Sequence, residues 1–123
     1  MLKDNLFTIE SCRSEQNSAD IAIKLNPACR IYEGHFPSDP ITPGVCLLQI
    51  MCELMEHLHQ KKFIIHQLRN VKFMRVIRPS EQPTVQVHLD WDEADTGYVA
   101  RCVISDGTNT FTKITNMALE PIK

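Results

Sequence analysis

The chain has 123 residues, 43% of them hydrophobic and 23% charged, with a formal net charge of −2 at pH 7. That length holds one domain able to bury roughly two-thirds of its unfolded surface, and the near-neutral charge argues against a general nucleic-acid binder. The longest apolar run, Val45 to Met55, is broken by Gln49 and Glu53 and is too short to span a bilayer.

In chain order, Leu6 to Cys12 and Ala19 to Leu25 read as two short strands around the polar turn Ser14-Glu15-Gln16-Asn17. Ala28 to Gly34 reads as a short turn or helix, and Val45 to Gln60 as a helix apolar around most of its circumference, which suits enclosure by other structure. Past Lys61-Lys62 the pattern turns to strands: Phe63 to Leu68, Val71 to Ile77, then a loop Arg78-Pro79-Ser80-Glu81-Gln82-Pro83. From Thr84, the residues Val85, Val87, Leu89 and Trp91 alternate with Gln86, His88 and Asp90, a strand with one dry face and one wet face. Tyr98 to Ser105 and Thr108 to Leu119 complete the set, joined at Asp106-Gly107, a hairpin signal. No repeat or linker divides the chain, so residues 1–123 are expected to form a single domain. The order predicts an α+β fold, an antiparallel sheet curled around one long helix.

The start of the chain lacks the basic and apolar regions of a signal peptide. Its five cysteines, Cys12, Cys29, Cys46, Cys52 and Cys102, are odd in number and show no CxxC spacing. A cytoplasmic protein with reduced, mostly buried thiols is the expectation. Cys52, His57 and His59 do not match a metal-site spacing, and no metal is expected.

The segment with most chemical content is His35-Phe36-Pro37-Ser38-Asp39-Pro40-Ile41-Thr42-Pro43-Gly44-Val45. Proline fixes φ and removes an N–H, so three prolines hold this loop extended. Pro43 and Gly44 open the helix, where the first backbone N–H groups lack internal acceptors and carry the positive end of the helix dipole. An imidazole beside such donors suits proton removal next to a polarised carbonyl.

The spacing His35-Phe36-Pro37-x-x-Pro40-x-x-Pro43-Gly44-Val45 resembles the signature of the hot-dog-fold (3R)-hydroxyacyl-acyl-carrier-protein dehydratases. Asn70-Val71-Lys72-Phe73-Met74-Arg75-Val76-Ile77-Arg78-Pro79 is similar to that family's next strand and Pro turn. The similarity runs from about Ile31 to the C-terminus. It implies a hot-dog fold, a homodimer with acyl tunnels at its interface, further assembly left open, and a site built from His of one subunit and Glu on the helix of the other. It also implies a substrate tethered to the phosphopantetheine of acyl carrier protein or CoA, with no separate cofactor, no nucleic acid and no membrane. Two departures stand out. Ser38 replaces the family's usual Gly, and the family's helix carries Glu fourteen residues after the His and Gln four residues later, whereas this chain has Gln49 and then Glu53.

The reaction so implied is dehydration of (3R)-3-hydroxyacyl thioesters to trans-2-enoyl thioesters. His35 is the candidate base, because the unperturbed pKa of an imidazole lies near working pH. The N–H of Gly44 or a neighbour is the candidate oxyanion contact, and Phe36, Pro43, Gly44 and Val45 are expected to border the substrate. Gln49 can orient a hydroxyl or a water but cannot deliver a proton at neutral pH. Glu53, an i,i+4 neighbour of Gln49, is the alternative acid. Two other functions stay open: a hot-dog thioesterase using Glu53, and a catalytically silent acyl-thioester-binding partner subunit, which Gln49 favours. The cations Arg69, Lys72, Arg75 and Arg78 could steer an acidic carrier protein, although charge protection of a sheet edge explains them equally.

Overall fold

Strand formation follows the apolar alternation, and each strand finds an antiparallel neighbour. A computed structural model of the chain describes residues 1–34 and 38–122. The strands are β1 (Phe7–Glu15), β2 (Ser18–Leu25), β3 (Phe63–Phe73), β4 (Thr84–Ala94), β5 (Gly97–Ser105) and β6 (Thr110–Pro121), and the helix α1 is Gly44–His59. They form one six-stranded sheet in the order β1-β2-β4-β5-β6-β3, with every pairing antiparallel. A short 3-10 turn, Arg30–Glu33, falls where a turn or helix is predicted.

The helix lies against one face of the sheet. Ile50, Met51, Leu54 and Met55 are fully buried, and so are Ile21, Leu89 and Met117 on β2, β4 and β6. The predicted dry face of β4 is buried at Val85, Val87, Leu89 and Trp91. This is the hot-dog arrangement. The helix ends at Gln60, whose left-handed conformation (φ 53°) closes the last turn.

Three local expectations are corrected. The first hairpin turns at Gln16-Asn17 alone, because β1 keeps its ladder to β2 as far as Glu15↔Ser18. The two strands expected between Phe63 and Ile77 are one strand ending at Phe73, with a register shift between Ile65 and Gln67 and Asn70 at φ 56° absorbing the irregular spacing. The last hairpin has a four-residue connection, because the Asp106 carboxylate accepts from the N–H groups of Thr108 (2.9 Å) and Asn109 (2.7 Å).

Candidate functional site

The segment entering α1 is pinned at three points. Arg78 Nε donates to Asp39 Oδ1 at 2.9 Å and its terminal nitrogen to Oδ2 at 3.2 Å, a bidentate clamp. This guanidinium holds the Asp39 carboxyl below its ordinary range. Thr42 N–H donates to the Ile77 carbonyl at 2.8 Å. The hydroxyls of Thr42 and Tyr32 share a buried hydrogen bond of 2.9 Å. The loop is therefore tied both to the turn before it and to the chain after β3.

Pro43 takes the N-cap position with extended backbone (ψ 144°), and Gly44 is the first helical residue. Glycine lets the exposed Phe73 ring pack directly against the helix start. A Cβ on Gly44 would come within 2.8 Å of the Phe73 ring. Val45 follows, 70% exposed, with Phe73, Met74 and Val76 also exposed around this end of the molecule. The first helical N–H groups, which have no acceptor within the helix, thus open onto an uncovered apolar border.

Gln49 lies on the exposed side of α1. Glu53, one turn later, is 1% exposed. Its carboxylate collects three hydrogen bonds: from Leu2 N–H to Oε2 at 2.9 Å, from Lys3 N–H to Oε1 at 2.8 Å, and from Gln49 Nε2 to Oε2 at 2.9 Å. A carboxylate buried in this way is stabilised by charge-assisted bonds to backbone donors. The N-terminal residues are themselves folded for the purpose: the Leu2 carbonyl accepts from Asn5 and Leu6 N–H groups, and Leu6 and Phe7 anchor in the core. A cleft of about 320 Å³ alongside is bordered by Met1, Lys3, Glu53, Glu56 and His57.

The structure thus brings Gln49 and Glu53 together and sets Pro43, Gly44 and Val45 beside each other at the helix start. His35 and Phe36 lie outside the described residues. Sequence reasoning missed the Leu2 and Lys3 amides, which as backbone groups leave no signature. It also missed the Asp39–Arg78 clamp, whose only signal was a carboxylate in the loop before α1 and a guanidinium in the loop between β3 and β4.

The ApeI-like family model, described as ApeI dehydratase, matches residues 11–112. The chain belongs to the ApeI-like dehydratase family. Curated relatives include the 3-hydroxyacyl-[acyl-carrier-protein] dehydratase FabZ of Pasteurella multocida, 31% identical over 54% of this chain and 48% of the relative. FabZ of Rickettsia massiliae is 26% identical over 62% of this chain and 58% of that protein. The chain therefore spans about half the length of the curated relatives it matches. Among solved structures, a chain of the dehydratase heterocomplex ApeI:P from Xenorhabdus doucetiae superposes with a TM-score of 0.76 at 21% identity, covering 91% of this chain and 96% of that one. At that identity the likeness establishes the fold, and this ApeI-like member keeps it along nearly its whole length.

Proposed function

We propose that this chain is a subunit of a dehydratase that converts (3R)-3-hydroxyacyl thioesters on acyl carrier protein to trans-2-enoyl thioesters, with the proton-donating carboxylate supplied by a second, non-identical hot-dog chain. The observation carrying this reading is the state of Glu53. Its carboxylate is buried and already takes three donors, so neither the relocated acid nor a thioesterase carboxylate is available from it. Gln49 cannot deliver a proton. A homodimer would hold Gln49 in both sites and bind without turning over, whereas a mixed pair would hold one complete site. The naming of a structural relative as a dehydratase heterocomplex is in keeping with this.

In the proposed reaction His35 removes a C2 proton. The released electron pair forms the C2–C3 double bond as the C3–O bond breaks, and the hydroxyl takes a proton from the partner's acid to leave as water. The helix-start N–H groups at Gly44 stabilise charge on the thioester oxygen, aided by the dipole of α1. The chemistry is acid–base throughout and draws on no cofactor beyond the phosphopantetheine carrying the substrate. A second reading, a silent acyl-binding subunit, is favoured by the same occupied carboxylate.

Hydration of enoyl thioesters and dehydration of hydroxyacyl thioesters by the purified chain test these readings. The wild type alone should be close to inert, and Gln49→Glu should raise turnover by about 10²–10⁴-fold, the usual contribution of a general acid–base step. A wild type that turns over alone, at a rate Gln49→Glu leaves unchanged, would sink the proposal. A variant that binds acyl thioester yet stays inert would favour the silent subunit.

A further inference from the structure

The carboxamide of Gln49 has a donor end and an acceptor end, and its neighbour decides which faces outward. Glu53 is an ionisable acceptor whose carboxylate form offers no N–H or O–H. The 2.9 Å contact is therefore made by Gln49 Nε2, and the carbonyl Oε1 is turned away from Glu53. Glu53 cannot swing aside to relax this choice, because Leu2 and Lys3 N–H groups hold both of its oxygens. Gln49 itself lies on the exposed side of α1, one turn beyond the 70% exposed Val45.

We infer that Gln49 is a hydroxyl-reading residue, that it presents Oε1 as an acceptor to the 3-hydroxyl of a bound acyl thioester, and that Glu53 is the positioning residue that fixes this orientation. The inference rests on the acyl-thioester reading given above and adds a direction to its hydrogen bond: the ligand donates and the protein accepts. A saturated acyl or 2-enoyl chain has no donor at C3, so the site should rank the hydroxyacyl ligand above both. One neutral hydrogen bond corresponds to about three- to ten-fold in affinity.

Calorimetric titration of the full chain with 3-hydroxyacyl-, saturated acyl- and 2-enoyl-pantetheine thioesters of one chain length tests this. The wild type is expected to prefer the hydroxyacyl ligand by about three- to ten-fold. Gln49→Leu, at an exposed position that folding tolerates, should level the three affinities while keeping the saturated ligand within about two-fold. Glu53→Gln frees the Gln49 amide to pair in either sense and should weaken the preference without abolishing binding. That change in ranking, at constant affinity for the saturated ligand, is something loss of packing alone would not produce. Binding of all three ligands without preference, or a preference that survives Gln49→Leu, overturns the inference and leaves the acyl-thioester reading intact. Failure of all three to bind overturns the reading, and the inference with it.

Discussion

Glu53 and Thr112 are both buried polar residues, and they are treated in opposite ways. Glu53 has three partners, whereas Thr112 Oγ1, on β6 opposite Phe73, has none among the described residues. A buried hydroxyl without a partner keeps its desolvation cost, so an isosteric apolar replacement should be neutral or favourable. Thr112→Val is expected to stabilise the chain by about 1 kcal/mol in urea unfolding. A loss of similar size would mean the hydroxyl has a partner in solution. At this scale the sequence was informative about residue type and poor about partnership. The pairing of Gln49 with Glu53 followed from their i,i+4 spacing. That Glu53 faces the N-terminal amides did not, since backbone donors from residues 2 and 3 meet it only after the chain has folded across about fifty positions.

At the scale of elements, the strands that carry a regular alternation were the most legible. β4 shows its period in the residue types themselves, and its inward set is the buried set. The helix was equally clear, since Pro43-Gly44 marks its start and the apolar run defines its body. β3 was misread as two strands because Arg69-Asn70 interrupts its apolar period, while in the fold Asn70 takes a positive φ within a continuous ladder to β6. Tertiary pairing here outweighs local pattern. Gly97, at the start of β5, shows a constraint no pattern announces. A Cβ there would lie 1.9 Å from the Leu119 carbonyl oxygen, a backbone atom that cannot step aside without moving β6. Gly97→Ala is therefore expected to destabilise by about 1–3 kcal/mol or more, the range of overpacking. Unchanged thermal unfolding would show that the β5–β6 approach is looser than described.

The whole molecule presents two sheet edges of different character. β1 is short of apolar side chains on its exposed positions and carries Glu10, Arg13 and Glu15. β3 and the residues after it expose Ile64, Phe73, Met74 and Val76 amid Arg69, Lys72 and Arg75. Charge guards both edges, yet only the second adds an apolar border next to the start of α1. The proposed pairing of subunits accordingly uses the β3 edge, which would bring a neighbour's residues against the start of α1, where Phe73 packs on Gly44. The purified chain should sediment as a dimer, and the double variant Met74→Lys, Val76→Lys should shift it to monomer with far-UV circular dichroism unchanged. A variant that stays dimeric places the contact elsewhere.

The lock on Glu53 is made by main-chain amides rather than by side chains. It therefore reads the shape of the N-terminal segment and is blind to the letter written at position 3. Mutation there can drift through lysine, serine or leucine without the carboxylate losing a donor, and proline, which has no N–H, is the one residue excluded. A constraint of this kind leaves almost no trace in amino-acid identity, although it holds the residue that orients Gln49.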